Sequence, residues 1–209
     1  MKSIAGNKNS DNDKLIAGVD EAGRGPIAGP VFASAVILNK QKPIIGLNDS
    51  KKISKNKRKA LAILIRKNSL AYSVFMVSSR VIDKINILQA TMIAMEKAIL
   101  SLKIKPDEVK IDGNQVPNFD EVGHSFSLNS VIKGDEKIQE ISAASILAKV
   151  YRDRYMNFIH YRYPNYNFYI NKGYPTKDHV DRLGVFGLSP YHRISFKPCS
   201  FYQEKNIYE

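Results

Sequence analysis

Leu15-Ile16-Ala17-Gly18-Val19-Asp20-Glu21-Ala22-Gly23-Arg24-Gly25-Pro26-Ile27-Ala28-Gly29-Pro30-Val31-Phe32-Ala33-Ser34-Ala35-Val36-Ile37-Leu38 is the stretch on which the fold turns. It opens on a short apolar run that ends in two acids, Asp20 and Glu21. It closes on a run rich in valine, alanine and isoleucine. Between the two, Gly23, Gly25, Pro26, Gly29 and Pro30 punctuate a sharp turn, because glycine and proline take backbone angles that other residues resist. The reading is a strand over 14–20, a glycine-rich turn, and a strand over 31–38.

The pattern continues outward. Residues 51–67 place Leu61, Leu64 and Ile65 behind a basic start, which suits an amphipathic helix. A strand follows over 71–77. Residues 86–102 set Ile87, Ala90, Ile93, Ala94, Ala98 and Leu102 near helical spacing, as in a buried helix. Pro106 closes the next connection, and a short strand over 109–111 delivers Asp112 to a Gly-Asn turn. A strand over 127–132 precedes a long helix over 138–159 with a stripe of small residues at Ala143, Ala144 and Ala148. One further helix is expected near 176–183. Strands alternating with helices make this an α/β protein. No repeat, low-complexity block or linker divides the chain. One domain over 1–209 is expected, with a core over 14–160 and a C-terminal helical segment and tail over 161–209.

The chain has 209 residues, a length that suits one compact domain able to bury a core without disulfides. An apolar content of 44% and a mean hydropathy of −0.29 exclude a disordered chain. The excess of 32 basic over 20 acidic residues, +12, points to a polyanion: nucleic acid or an anionic membrane surface. No apolar run has the length to cross a bilayer, since the longest candidate, 27–38, is broken by Gly29 and Pro30. Residues 1–14 lack the apolar centre of a signal peptide. The one cysteine, Cys199, excludes an internal disulfide and a structural zinc site. A cytoplasmic protein is expected, with any metal held by oxygen ligands.

In so basic a chain the informative residues are acids. Asp20 and Glu21 end one strand, Asp112 ends another, and Asp135 follows Lys133-Gly134 just before a helix. Strand ends of an open α/β sheet are where ligand groups converge. Neighbours on an extended strand face opposite sides, so Asp20 and Glu21 share a site only if the turn redirects one of them. Gathered carboxylates raise one another's pKa unless a cation neutralises them. An all-oxygen set suits magnesium or manganese, and a pair of such ions can clamp a phosphodiester. Taken singly, an aspartate at a strand end or before a helix is as a rule a cap or turn residue. Spacing alone does not gather the four.

The motifs do. The run Gly18 to Val31 resembles the signature of bacterial ribonuclease HII, a type 2 ribonuclease H. The resemblance continues in order through Asp49-Ser50-Lys51, Ile85-Asn86-Ile87 with Ala90-Thr91, Asp112-Gly113-Asn114 and Lys133-Gly134-Asp135. Ile141-Ser142-Ala143-Ala144-Ser145-Ile146-Leu147-Ala148-Lys149 resembles the family's long helix. Lys172-Gly173-Tyr174, Thr176, His179, Ser189-Pro190 and His192-Arg193 resemble its C-terminal segment. The likeness runs from Leu15 to Phe196.

The resemblance implies a ribonuclease H-like mixed sheet flanked by helices, with a C-terminal helical extension. It implies Asp20, Glu21, Asp112 and Asp135 as catalytic acids that bind divalent metal, manganese or magnesium. It implies that Gly23-Arg24-Gly25 reads a ribonucleotide 2′-hydroxyl and that Tyr174 packs on the next deoxyribose. Glycine lets a backbone approach a sugar closely, and the 2′-hydroxyl is what separates RNA from DNA. The implied activity is endonucleolytic cleavage of RNA in RNA–DNA hybrids, and 5′ of ribonucleotides embedded in duplex DNA, leaving 3′-hydroxyl and 5′-phosphate ends. A monomer is expected.

Lys51 or Lys52 is read as a phosphate contact, while Lys55, Lys57, Arg58 and Lys59 read as a solvated helix face. His192 and Arg193 either touch the substrate backbone or brace the C-terminal helices. Asp153 reads as an ion-pair partner. Asn171 stands where many relatives carry histidine. The tail, with Phe201, Tyr202 and Tyr208, is a docking element for a sliding clamp or, as the favoured reading, a loosely packed end. Two rivals stand beside this reading. Ribonuclease HIII carries an extra N-terminal domain and usually lysine at the Arg24 position, whereas only 19 residues precede Asp20 here. A non-catalytic binder gains nothing from acids beside phosphates.

Overall fold

The computed structural model describes residues 14–48, 50, 52–120 and 123–205. The glycine turn does what its composition demands: it folds strand β1 (Ile16–Ala22) back on β2 (Val31–Ile37) as an antiparallel pair, in register from Ala17 opposite Ile37 to Ala22 opposite Phe32. β3 (Ala71–Val77) extends this pair antiparallel to β2. β4 (Glu108–Asp112) and β5 (Ser127–Val131) add parallel strands beyond β1, giving the order β3-β2-β1-β4-β5. β2 is buried at every position because helices cover both faces of the sheet.

Residues of β1 alternate between those faces. Ala17 and Val19 pack with Ala94, Met95 and Ala98 of helix α2 (Ser79–Leu100). Gly18 and Asp20 face the other way, toward α4 (Gln139–Arg162). Leu61 and Ile65 of α1 (Lys55–Asn68) complete that second layer against Ala143, Ile146 and Leu147. Between α1 and the later helices, the chain forms the four-residue α3 (Gly134–Lys137) ahead of α4. Beyond α4 lie a 3-10 turn (Pro164–Tyr166), α5 (Phe168–Asn171), α6 (Lys177–Phe186) and α7 (Cys199–Lys205). Their apolar side chains gather with Ile27 and Ala28 of the glycine turn around Phe168, Leu183 and Cys199.

The structure departs from expectation in three places. The first helix starts at Lys55, because Ser54 caps it by accepting from the Lys57 amide, 3.3 Å, and leaves 52–54 outside the helix. The second begins at Ser79 and is interrupted at Asn86, which takes φ 67° and ψ 167°. The Asn86 carboxamide accepts from the amides of Leu88 and Gln89, 2.9 and 3.1 Å, so it caps a second helical start inside the first. That cap is why the helical period is legible only from 86 onward. The third is a correction. The tail does not begin as a loosely packed end, since Cys199 is fully buried at the head of α7 and Tyr202 packs partly buried against the same cluster. Tyr208 lies outside the described residues. Among them, no helix is long and apolar enough to cross a membrane.

Gly18 sets how closely α4 approaches the sheet, because a Cβ there would lie 2.0 Å from the carbonyl carbon of Glu140. Gly18→Ala is expected to lower unfolding stability by about 1–3 kcal/mol through overpacking. Gly184→Ala, whose new methyl would meet only the Tyr202 hydroxyl at 3.7 Å, should raise it by about 0.5–1 kcal/mol. Urea denaturation midpoints of the two variants check both signs.

Candidate active site

Parallel pairing of β1 with β4, Val19 opposite Ile111, carries Asp20 and Asp112 off the ends of adjacent strands. β5 lies beside β4, and the chain then turns through Lys133 in a left-handed conformation, φ 55° and ψ 45°. Gly134 follows, and its amide donates to Asp112 Oδ1 at 2.7 Å. A side chain at this glycine would strike Ile141, its Cβ lying 2.5 Å from Cδ1. Asp135 comes next on α3. Asp20, Asp112 and Asp135 thus each offer a carboxylate oxygen, all within 4.8 Å of one another. Asp20 and Asp135 are buried and Asp112 is half-buried.

Glu21 stands apart from that trio. It ion-pairs with Arg24 at 3.5 Å, and its amide donates to Asp20 Oδ1 at 2.7 Å. It nonetheless lines the same cleft as Asp20 and Asp112, so the turn brings it to the site although strand neighbours start on opposite faces. The acids still feel one another. Burial holds the Asp20 carboxyl well above its ordinary pKa, and the charges of Glu21 and Asp112 push it further. Burial also raises Glu21, with Asp112 adding to the shift and Arg24 opposing it. Hard oxygen donors, crowded and unwilling to ionise together, are the donor set that a divalent cation such as magnesium or manganese stabilises.

The cleft beside the acids, about 230 Å³, is walled by Gly23, Arg24, Gly25, Ser145, Lys149 and Tyr174. The turn forming one wall is gripped from beneath. Arg193, fully buried, donates to the carbonyls of Gly29, Arg24 and Gly23 at 3.0, 2.9 and 2.6 Å. Arg152 donates to those of Pro30 and Ala28, both at 3.2 Å. Gly23 takes φ 102°, and a Cβ there would lie 2.1 Å from Arg152 Nε, so both conformation and space require glycine. Main-chain bonds from Ile27 to Gly173 and from Gly29 to Tyr191, 2.8 Å each, stitch the C-terminal segment to this turn. His192 and Arg193 therefore brace the fold, and do so at the site itself.

Tyr174, 43% exposed, faces Gly25 across the cleft. Its carbonyl is held by a chain of buried imidazoles. The carbonyl can only accept, so His179 Nδ1, at 2.8 Å, carries the proton. His179 Nε2 then accepts from His192 Nε2 at 3.0 Å, and His192 Nδ1 accepts from the Ser189 amide at 2.9 Å. Every bond is satisfied only with both rings neutral. Burial lowers both pKa values, that of His192 to about 3 with His179 contributing. Asn171 is a buried bracket below this loop, donating to Tyr166 O and accepting from the Gly173 amide, 2.7 Å each.

Of the remaining expected residues, Lys52 is exposed and paired with Glu136 at 2.7 Å, while Lys51 lies outside the described residues. Asp153 is the ion-pair partner expected of it, 2.8 Å from Lys149. The cleft residues Ser145 and Lys149, and the bracing role of Arg152, were not singled out from sequence. Their helical period, Ser145-Lys149-Asp153 with Arg152 on a neighbouring face, was the available signal.

Mixed sheet, acidic trio and helical extension together define a ribonuclease H-like hydrolase. The family model described as ribonuclease HII matches residues 17–199. A ribonuclease HII of Dechloromonas aromatica is 50% identical over 186 residues, 89% of this chain and 92% of that protein. One from Caldicellulosiruptor bescii is 52% identical over 183 residues, 88% of this chain and 86% of that protein. The solved ribonuclease H2 of Pyrococcus horikoshii superposes with TM-score 0.77 at 26% identity, covering 93% of this chain and 99% of that one. The chain belongs to the ribonuclease HII family, and with it goes hydrolysis of RNA in RNA–DNA hybrids. A Bst-RNase HIII solved with Mn²⁺ shares the fold, TM-score 0.72 at 14% identity, with 94% of this chain and 71% of that one covered.

The neutral imidazole pair makes stability pH-dependent. Above about pH 6.5 the histidines are neutral in folded and unfolded chains alike. As pH falls through that value the unfolded chain takes up protons that the buried pair refuses, so this contribution to stability is lost toward acid. Urea midpoints of the wild type and of a His179→Asn/His192→Asn variant, compared between pH 7.5 and 5, should show the steeper fall in the wild type.

Proposed function

We propose that this ribonuclease HII nicks duplexes on the 5′ side of a ribonucleotide, including a single one embedded in DNA, and that Asp20, Glu21, Asp112 and Asp135 are its metal-binding catalytic acids. The observation that carries this reading is the trio of carboxylates within 4.8 Å at the floor of a cleft in a protein of net charge +12. A bound cation relieves such crowding while leaving the carboxylates ionised beside phosphates. Two divalent ions, when bound, would supply activation of the attacking water and stabilisation of the leaving oxygen.

The chain's own residues do the rest. Asp20, Glu21, Asp112 and Asp135 would hold the ions, Glu21 from the edge of the tight trio. The Asp20 carboxyl is steered by the Ser145 side chain and the Glu21 amide. The Gly23-Arg24-Gly25 turn, held by Arg193, presents backbone close enough to read a 2′-hydroxyl. The exposed face of Tyr174 packs on the following sugar and disfavours a bulky 2′ substituent there. Lys51 and Lys52 contact phosphates. On this reading the whole chain is one catalytic domain. A clamp-docking role for the tail has one supporting observation, the exposed ring of Phe201 on α7. A similar chain from Archaeoglobus fulgidus, TM-score 0.73 at 25% identity over 88% of this chain and 95% of that one, was solved as a PCNA:RNase HII complex.

An end-labelled duplex with one ribonucleotide, incubated with and without Mg²⁺ or Mn²⁺, tests the reading. Cleavage is expected only with metal, at the 5′ side of the ribonucleotide, leaving a 3′-hydroxyl. Asp20→Asn and Asp112→Asn should abolish cleavage and keep or tighten binding, because each removes a negative charge from beside the phosphates. Full activity in either variant overturns the assignment.

A further inference from the structure

A second basic feature lies outside the cleft. α1 and α4 part along their length into a groove of about 320 Å³. Lys55, Lys59 and Arg66 line one wall and Arg154 the other, with Asp153 the one acid among the lining residues. On α1 these cations recur one and then two turns apart, spanning roughly 16 Å of the helix, long enough to meet several phosphates of one strand. A helix face that merely meets water mixes its charges; this one does not.

One ridge of α4 runs from the acid cleft to the groove. Ser145 and Lys149 of α4 wall the cleft, and Asp153 and Asn157, the next members of the same i, i+4 ridge, wall the groove. The ridge covers about 18 Å from Ser145 to Asn157. Lys172 stands at the groove end of this ridge, its ammonium bonded to Asn157 and lying 4.7 Å from the Tyr169 ring centroid. Lys55 sits over the same ring at 5.2 Å. Burial lowers the Lys172 pKa to about 8, and the charges of Lys55, Lys149 and Arg152 oppose its ionisation against Asp153 alone. Crowding of this kind costs stability in the unbound protein and is relieved by a polyanion.

We propose that the α1–α4 groove is a docking track for the phosphate backbone of the duplex that flanks the cleavage position. The assignment rests on the proposed nicking of ribonucleotide-containing duplexes and extends the protein's grip well past the reacting sugar. Arg58 serves the track indirectly, since its guanidinium holds the carbonyls of Ser50 and Ile53 and so fixes the loop between groove and cleft.

Lys55, Lys59 and Arg154 are exposed and have no part in the cleft, so their replacement separates the two surfaces. The triple variant Lys55→Gln/Lys59→Gln/Arg154→Gln is compared with the wild type by fluorescence anisotropy in chelator. The ligands are a ribonucleotide-containing duplex with about twelve base pairs on each side, and versions cut to about four on either side in turn. The variant should bind the long duplex at least about tenfold more weakly in 0.1 M salt. Its log K against log salt should flatten by about 2–3. One of the truncated duplexes should be bound equally by both proteins. The charge-keeping variant Lys55→Arg/Lys59→Arg/Arg154→Lys should behave as wild type. An unchanged slope, or an equal loss on long and truncated duplexes, overturns the proposal and leaves the groove to an acidic protein segment. Because binding is read without metal, a protein that binds in this way but never cuts would sink the nicking reading and leave the track standing.

Discussion

The buried guanidinium of Arg193 is the interaction on which the rest of the structure depends. A charge taken out of water costs several kcal/mol unless its donors are satisfied. Here burial is compensated by carbonyls at Gly23, Arg24 and Gly29, and by the Phe196 ring 5.0 Å away. Each carbonyl belongs to the glycine turn, and the guanidinium comes from a segment far along the chain. Burial lowers the Arg193 pKa only to about 9, so at neutral pH the charge is kept and the grip with it. Fold closure and turn shape are thus one event: the C-terminal segment cannot leave without stranding both the cation and the carbonyls it satisfies.

This coupling accounts for where the site lies. β1 delivers Asp20 to the α4 face and two residues later enters the turn, so the same strand carries an acid of the trio and begins the wall beside it. The C-terminal segment supplies the opposite wall through Tyr174, whose carbonyl hangs from His179 and His192. Neighbouring bonds tie Gly173 and Tyr191 to Ile27 and Gly29. The network of short bonds between the two walls keeps their separation fixed, which is what the proposed reading of a sugar between them requires.

Strands β1, β2 and β4 were legible because they are short, largely apolar and bounded by glycine, proline or an acid. The extents of β2 and β3 matched what periodicity implied to within a residue. The acids were legible as candidates, and the resemblance gathered them, yet neither showed that Glu21 would line the cleft from outside the tight trio. Alternation along β1 posed that question, and only the path of the turn answered it. Arg193 and His192 were left undecided between substrate contact and bracing, because a buried arginine and a surface arginine look alike in a linear sequence. Cys199 misled for a related reason: an isolated small apolar residue near a terminus carries no period, and its burial depends on a cluster assembled from Ile27, Phe168 and Leu183.

The charge distribution gives the last step. Asp20 and Glu21 are held where ionisation is opposed by burial and by one another, within a chain whose net charge is +12. A fold selected for stability alone would scatter these acids among the lysines. It keeps them apart instead, with Arg24 beside Glu21 and Lys149 turned toward Asp153 at the cleft edge. On the proposed reading the acids take a cation and the lysines take phosphates, so each unfavourable cluster is relieved by a different part of the same bound complex. Binding of a metal-loaded duplex should then stabilise this protein more than either component alone, since only the complete complex neutralises both sets of charges.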